Sequence, residues 1–315
     1  MKYVAGVDIG GTNTKIGILD ENGEILVKES IKTLSMDGAE KTLTRIWEKI
    51  KELMSSVNID VEDLKGVGMG IPGPVTDKRV VGFFANFPWE RNLNISQMFE
   101  IISGKTARLD NDVNVIALGE AKFGAGKGAK SSVTIALGTG IGGGIYVEGN
   151  LISGFTGAGG EIGHMKLVKD GKLCGCGQRG CFEAYASATG IEREAVSRLM
   201  VNKTNLLYEK VKDDISKLEA KDVFDAAKEG DSFSLEIVDY EAEYLAMGIG
   251  NILNIINPER VILGGGVAQA GDILLDRVKE KLPKYALAVT LNNFNIVLGT
   301  LGNDAGIKGA AALID

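Results

Sequence analysis

The sequence is poor in histidine, cysteine and proline, which number one, three and five among its 315 residues. Three cysteines fit a reducing compartment better than they fit the disulfide framework of a secreted domain. The 43 glycines greatly outnumber the prolines, and this excess predicts many tight turns and close approaches of the backbone to a ligand.

The sequence also lacks an excess of positive charge and a long apolar segment. Its net charge of −7 argues against a broad surface for nucleic acid or anionic membranes, because clustered lysine and arginine drive such binding. The first eleven residues contain no apolar region of signal-peptide length, and five glycines interrupt the longest uncharged run, residues 131–147. We therefore expect a cytoplasmic protein that binds neither nucleic acid nor membrane.

What is present is typical of a soluble globular protein, with 44% apolar and 24% charged residues. A chain of this length exceeds one ordinary hydrophobic core and predicts two domains.

The only histidine and all three cysteines fall in one short segment, as His164, Cys174, Cys176 and Cys181. Neighbouring glycines predict turns that hold the cysteines close together. Three thiolates and one imidazole are the donors of a tetrahedral Cys₃His zinc site. We predict a structural zinc ion that orders this loop and activates no water. The alternative is a set of small buried thiols and one core histidine.

Two stretches share the design of strand, glycine turn and strand. The first, residues 3–19, reads YVAGVDIGGTNTKIGIL and continues into a third strand at 24–31 and a helix over 43–57 that begins with a capping box at 37–40. The second, residues 132–147, reads SVTIALGTGIGGGIYV. Two such hairpins in the two halves of the chain predict two domains of related fold.

Hydrophobic periodicity predicts the remaining elements. We expect strands at 65–70, 106–109, 260–263 and 296–298, a short helix capped by Ser96, and helices from residue 113, at 189–200, 220–229, 234–256 and 304–313.

The glycine turns of both hairpins can bind phosphate, because successive backbone N–H groups in such turns form anion-binding nests. Gly10-Gly11-Thr12-Asn13 would supply one cradle and Gly138-Thr139-Gly140 the other, and Asp8 could hold Mg²⁺ through water. Together they predict a nucleoside triphosphate site. The G-x-G-x-x-G pattern at 138–143 runs into a strand and the same pattern at 175–180 opens no helix, so neither supports a dinucleotide fold.

Polar residues at the end of a strand predict an acceptor site. Asn111 and Asp112 lie where the strand at 106–109 leads into a helix, a position that favours a ligand cleft, although Asn111 could simply cap the helix. Asp112 is the best-placed base for the proton of an acceptor hydroxyl. Glu161 and Glu183 flank the predicted zinc ligands, and carboxylates together with an amide suit a polyhydroxyl ligand such as a sugar.

An ordered set of motifs resembles the ROK family of sugar kinases and related repressors over essentially the whole chain. The motifs are DIGGTNTKIGILD, GIPGPV, NFPW, LDNDVNVIALGE, LGTGIGGG, GEIGHM, CGCGQRGCFE, RVILGGGV and LGNDAGIKGAA. The resemblance implies the actin-like ATPase fold, of the α/β class and related to ribonuclease H, with ATP and sugar in a cleft between two domains. We accordingly expect a small domain at 1–116, a large domain at 117–299 and a C-terminal helix at 300–315 that returns to the small domain.

The resemblance also implies roles for individual residues. Asp112 would be the general base, and the sugar ligands would be Asn111, Asp112, Glu161, His164, Glu183, Gly73 and Asn86. His164 would bind zinc and sugar through different ring nitrogens. Gly265 and Gly266 would join the two hairpins in binding ATP. Lys15 receives no firm role, because many members carry a lysine directly after the threonine of DIGGT, where this chain has Asn13.

The implied activity is ATP-dependent phosphorylation of a hexose at its 6-hydroxyl, in the first place of glucose to glucose 6-phosphate. Phosphorylation of fructose, of an N-acetylhexosamine or of N-acetylmannosamine stays open, as does a regulator that binds sugar without catalysis. No helix-turn-helix domain of the repressor type is expected ahead of Asp8, and Asp112 and both hairpins are intact, which favours the enzyme. Family membership also implies a homodimer or homotetramer.

Overall fold

The computed structural model describes residues 2–84 and 87–314. The chain divides into two compact units. The first comprises Met1–Ser132, Gly144–Gly160 and Gly299–Asp315, and the second comprises Val133–Gly143 and Glu161–Leu298. The predicted boundary at residue 116 lies within the helix at Asp112–Phe123, inside the first unit. Residues 300–315 belong to the first unit.

Both units contain strands and helices. The strands are β1 (Tyr3–Ile9), β2 (Asn13–Leu19), β3 (Ile25–Lys32), β4 (Leu64–Ile71), β5 (Val75–Thr76), β6 (Val80–Val81), β7 (Leu93–Asn94), β8 (Thr106–Asn111), β9 (Ser131–Leu137), β10 (Ile141–Val147), β11 (Asn150–Leu151), β12 (Arg260–Gly264) and β13 (Asn295–Leu298). The helices are α1 (Ala39–Ser56), α2 (Ile95–Ser103), α3 (Asp112–Phe123), α4 (Glu183–Ala186), α5 (Ala188–Leu199), α6 (Leu206–Val211), α7 (Ala220–Lys228), α8 (Ser232–Ile256), α9 (Asp272–Lys281) and α10 (Ala305–Ala311).

The two larger sheets share one topology. The first has the order β3-β2-β1-β4-β8 and the second the order β11-β10-β9-β12-β13, and a short third sheet has the order β5-β6-β7. In each five-stranded sheet the order is thus third, second, first, fourth and fifth strand along the chain. The expected relation between the two hairpin-bearing halves is confirmed at the level of strand order.

The first sheet carries helices on both faces, because side chains alternate along a strand. Ala5, Val7 and Ile9 of β1 are fully buried in the same core as residues of α1. Gly6 on the opposite face lies against α10, where an added Cβ would be 2.0 Å from the carbonyl oxygen of Ile307, and Gly68 of β4 meets the carbonyl of Ala310 in the same way. The α10 backbone can approach the sheet this closely only over glycine.

Two predicted helix starts are wrong. The helix α1 begins after Gly38, without the capping box predicted at 37–40, and Asp37 instead accepts a hydrogen bond from Arg45 at 2.9 Å. The helix α2 is capped by Asn94, whose side chain accepts from Gln97 N, and not by Ser96. Ser96 is buried inside the first turn, where its hydroxyl donates to the carbonyl of Ala107 at 2.7 Å. Hydrogen bonds to Arg45 and to the carbonyl of Ala107 therefore replace helix capping at Asp37 and Ser96.

The other predicted elements are confirmed within one or two residues at most ends. Among residues 2–84 and 87–314, no helix is both long and apolar enough to cross a membrane.

Candidate active site

The first glycine turn joins β1 and β2. Its backbone is closed by a hydrogen bond from Gly10 N to Asn13 O at 3.1 Å. Gly11 and Thr12 at its tip are exposed. Buried Thr33 braces the turn, since its hydroxyl donates to Gly10 O at 2.7 Å and its amide donates to Thr12 O at 3.0 Å. No sequence motif marks Thr33, which lies just past the end of β3.

Asp8 lies near the end of β1, directly opposite Lys15 on β2. The Lys15 ammonium is 4.0 Å from Asp8 Oδ2 and 3.5 Å from Asn303 Oδ1. Burial raises the pKa of Asp8, the charge of Lys15 opposes this shift, and the charge of Asp112 adds to it. The first unit therefore places two carboxylates and one cation near the exposed turn. Lys15 and Asn303 join the site although neither was assigned a role from the sequence.

The acceptor turn lies where β8 passes into α3. Asn111 caps α3, as its side-chain oxygen accepts from the amides of Val113 and Asn114 at 2.9 and 3.3 Å. Its side-chain nitrogen donates to Gly73 O at 3.2 Å. Capping, the simpler of the two roles considered for Asn111, is thus present in the structure.

Asp112 follows as the first residue of α3. One of its carboxylate oxygens accepts from the amide of Val113 at 3.0 Å. Burial raises the pKa of Asp112, while hydrogen bonds from Val113, from its own amide and from Asn111 oppose the shift. A carboxylate with a raised pKa is a stronger base than an ordinary aspartate, which suits the acceptance of a proton from a hydroxyl group.

The second glycine turn joins β9 and β10 within the second unit. Gly138 N donates to Gly140 O at 3.0 Å, and the amide of Ala188 donates to Gly138 O at 2.9 Å. Gly265, which follows β12, has φ +85° and packs against the backbone of Leu137, where an added Cβ would lie 2.4 Å from the carbonyl oxygen. The two predicted phosphate-binding segments of this unit are therefore neighbours.

A cavity of about 420 Å³ opens beside these segments. Gly138, Thr139 and Gly266 line it together with residues of α5, α7 and their surroundings. The additional lining residues include Glu192, Lys221, Phe224, Asp225, Lys228 and Gln269. The sequence predicted the two helices but carried no motif to mark these side chains as ligand contacts.

The histidine and the three cysteines do converge. Their ligand atoms all lie within 4.8 Å of one another. Cys176 Sγ is 3.7 Å from Cys181 Sγ, and Cys174 Sγ is 3.8 Å from His164 Nδ1. Sulfur atoms at about 2.3 Å from a tetrahedral zinc ion would be separated by about 3.8 Å. The arrangement therefore has the donors and the spacing of a closed zinc site.

Charges around the cluster also suit bound thiolates. The Lys166 ammonium lies 2.9 Å from Cys181 Sγ. Burial raises the pKa of the Cys174 thiol to about 12, whereas the amide of Gln178 lowers the pKa of Cys176. Cys174 would thus need a metal ion to hold it as a thiolate.

Glu183 connects the cluster to the second glycine turn. One carboxylate oxygen accepts from the amide of Ile141 at 3.0 Å, and the other lies 3.3 Å from Cys174 Sγ. Glu161 lies on the other side of the histidine, with an oxygen 3.9 Å from His164 Nε2. The ring therefore presents Nδ1 to the cysteines and Nε2 to Glu161, so different nitrogens are available for a metal ion and for a second ligand.

Gly73 and Asn86 are the two remaining residues that were predicted to contact the sugar. Gly73 has φ +125°, and an added Cβ would lie 2.3 Å from the carbonyl oxygen of Phe83, so glycine is required at this turn. Asn86 lies outside the described residues.

The chain matches known proteins over nearly its whole length. The model of the ROK family matches residues 4–315. The glucokinase of Halalkalibacterium halodurans is 40% identical, with 99% of this chain and 95% of that protein covered. The glucokinase of Thermotoga maritima is also 40% identical, with 98% and 96% covered. A crystal structure of a ROK family glucokinase from Streptomyces griseus with glucose and AMPPNP has a TM-score of 0.79 at 33% identity, with 99% of each chain covered.

These matches and the repeated strand order assign the two-domain actin-like ATPase fold. The resemblance that the motifs indicated is confirmed, and the chain belongs to the ROK family.

Proposed function

We propose that the protein transfers the γ-phosphoryl group of ATP to the 6-hydroxyl of glucose and acts as a hexokinase-type sugar kinase. The observation that carries the proposal is the pair of carboxylates in the first unit, with Asp112 at the start of α3 and Asp8 near the end of β1 close enough for their charges to interact. Similarity to two glucokinases at 40% identity supports the choice of reaction and of sugar.

The residues proposed to bind the sugar offer different chemical groups to it. Asn111 brings a side-chain amide that already donates to Gly73 O and to Asp112, so a sugar oxygen would share one of these N–H groups. Glu161 and His164 Nε2 offer a carboxylate and an imidazole nitrogen within 3.9 Å of each other. Glu183 can take a sugar hydroxyl only in addition to its hydrogen bonds with Ile141 and Cys174. Gly73 would contact the sugar through its backbone. Asn86 is proposed as a sugar ligand from the family resemblance alone.

The nucleotide contacts follow from the two turns. Amides of residues 10–13 and of residues 138–140 bind phosphate oxygens, and Gly265 and Gly266 allow the nucleotide to approach the backbone. The cavity beside Thr139 takes the adenosine, because about 420 Å³ is within the range of small-molecule pockets. Asp8 would hold Mg²⁺, and the ion would supply neutralisation of phosphate charge.

In the reaction, Asp112 accepts the proton of the sugar hydroxyl as the hydroxyl oxygen forms a bond to the γ-phosphorus. The bond between that phosphorus and the bridging oxygen breaks, and ADP leaves with its electron pair. Burial raises the pKa of Asp112 and so favours the protonated form that results. Lys15 adds positive charge beside Asp8.

His164, Cys174, Cys176 and Cys181 hold a structural zinc ion that keeps the loop between Glu161 and Glu183 ordered. Reduced thiols suit a cytoplasmic enzyme, and the family resemblance favours a homodimer or homotetramer, which sedimentation would measure.

The reaction is tested by following ADP release from ATP with glucose, mannose, fructose, N-acetylglucosamine and N-acetylmannosamine. We expect the highest kcat/KM with glucose and glucose 6-phosphate as the product. A higher kcat/KM with an N-acetylated sugar or with fructose would reassign the substrate. Tight binding of glucose by calorimetry with no phosphorylation of any sugar would contradict the enzyme and favour a sugar sensor.

A further inference from the structure

Asp110 is a buried carboxylate beside the acceptor turn that the reaction does not use. It is 2% exposed and precedes Asn111 at the end of β8. One oxygen accepts from the amide of Asn111 and from the side-chain nitrogen of Asn114, both at 2.8 Å. The other oxygen is 3.4 Å from the hydroxyl of Ser153. Two neighbouring groups, from Asn111 and Asn114, and one group from the distant Ser153 thus meet on one side chain.

Ser153 begins a closed loop, residues 153–159, which we call the glycine loop. Its ends are joined by a hydrogen bond from Gly159 N to Ser153 O at 2.8 Å. Gly157 has φ +77° and lies against the backbone of Val75, where an added Cβ would be 2.1 Å from the carbonyl oxygen. The loop is therefore fixed to its own unit at Val75 and at Asp110, and the chain continues from it into Glu161.

The hydrogen bonds of Asp110 determine the direction of the acceptor turn. The bond to Asn111 N fixes the peptide that leads into Asp112, and the bond to Asn114 fixes the next turn of α3. A buried acceptor removed from such a network leaves its donors unsatisfied. Displacement of a reacting group by about 1 Å can cost about 100-fold in rate.

We infer that Asp110 is a positioning residue, which orients Asp112 toward the sugar hydroxyl and ties the acceptor turn to the glycine loop through Ser153. The inference rests on the proposed role of Asp112 as the base. Asp110 acts through hydrogen bonds and not through its charge. An asparagine at this position can accept from Asn111 and Asn114 through its oxygen and donate to Ser153 through its nitrogen, so it preserves all three contacts.

The test compares kcat, the KM for glucose and thermal melting in five variants of the full chain. Asp110→Ala should lower kcat about 10- to 100-fold, whereas Asp110→Asn should stay within about threefold of the parent. Ser153→Ala should raise the KM for glucose several-fold, and Ser153→Thr, which keeps the hydroxyl, should restore it. Thr156→Ala, which removes an exposed hydroxyl from the same loop, is the matched control and should change neither constant.

A merely structural role predicts a different pattern. Asp110→Ala with a lowered melting temperature but a parental kcat would overturn the inference, and so would a loss of turnover in Asp110→Asn, which would point to the charge. If Asp110→Ala does not fold, the Ser153 pair decides the link to the loop and Asp110→Asn decides between charge and hydrogen bonding. Asp112→Asn measured in parallel separates failure of this inference from failure of the base assignment, since that variant should lose turnover whatever Asp110 does.

Discussion

Glu183 accepts a hydrogen bond from the backbone amide of Ile141 at 3.0 Å. The bond joins the start of α4, which directly follows the cysteine loop, to the first residue of β10, which follows the second glycine turn. Gly140 lies against the same carboxylate, where an added Cβ would be 2.3 Å from Glu183 Oε2. A residue assigned from the sequence to the sugar alone therefore also supports the turn that we propose binds phosphate.

Replacement of Glu183 should affect both substrates. Glu183→Ala should raise the KM for ATP as well as the KM for glucose, each by about 10-fold or more, because the Ile141 amide loses a charged acceptor. Glu183→Gln keeps an oxygen for that amide, so its KM for ATP should stay near the parental value. Steady-state kinetics with each substrate varied would show this, with exposed Glu280→Ala as the control. An unchanged KM for ATP in Glu183→Ala would show that the hydrogen bond to Ile141 has no role in nucleotide binding.

The zinc proposal predicts about one zinc ion per chain, lost when a ligand is replaced. Cys174→Ser should release the metal, lower the melting temperature and weaken glucose binding, because the loop between Glu161 and Glu183 loses its order. Gln178→Ala, which changes an exposed side chain in the same loop, should retain the metal. The measurements are elemental analysis, thermal melting and calorimetric titration with glucose. Purified parent protein without zinc but with full activity would show that the cysteines only pack as small buried side chains.

Lys15 should matter for the nucleotide and not for the sugar. Lys15→Met removes the cation beside Asp8 and Asn303, and we expect kcat/KM for ATP to fall about 10- to 100-fold with little change in glucose affinity. Lys15→Arg should retain part of the activity, and exposed Lys41→Met is the control for loss of a positive charge. Equal losses of affinity for ATP and glucose would argue for a general structural role of this lysine.

The sequence predicted most of the long elements of the fold because their signals are local, whereas it did not predict α4, α6, α9 and the short strands β5, β6, β7 and β11. Alternating apolar residues and glycine turns mark both hairpins, and a long periodic apolar face marks α8. The starts of α1 and α2 could not be predicted from local signals. Asp37 accepts a hydrogen bond from Arg45, and Ser96 donates one to the carbonyl of Ala107. Both partners are positioned only by tertiary packing.

Convergence at the site was predictable only where unusual residues cluster in sequence. The sole histidine and the three cysteines fall within residues 164–181, so their meeting could be inferred. Thr33, Asn303 and Ser153 each reach the site from a distant segment through one or two hydrogen bonds, and no sequence motif marks a serine, threonine or asparagine for such a contact. The lining of the cavity beside Thr139 likewise depends on how α5 and α7 pack, which no motif records.

The raised pKa of Asp112 predicts that its ionised carboxylate lowers the stability of the folded protein at neutral pH. A carboxyl whose pKa is raised on folding stabilises the folded state below its ordinary value of 3.8, and this contribution disappears as the pH rises through the raised pKa. Asp112→Asn should therefore melt about 1–3 °C higher than the parent at pH 7, and the difference should shrink toward pH 4. Melting curves at both pH values, with exposed Asp276→Asn as the control, would measure it. A variant that melts lower at pH 7 would mean that the ionised carboxylate stabilises the fold.

The central claim is that Asp112 takes the proton of the sugar hydroxyl, and the most direct measurement is kcat for glucose phosphorylation by Asp112→Asn together with its glucose dissociation constant. The amide occupies the same space and can still accept from Val113, so glucose binding should change by less than about threefold. It cannot accept the proton, so kcat should fall by about 10²- to 10⁴-fold. A variant that binds glucose normally and keeps more than about a tenth of the parental kcat, well above that range, would show that Asp112 is not the base.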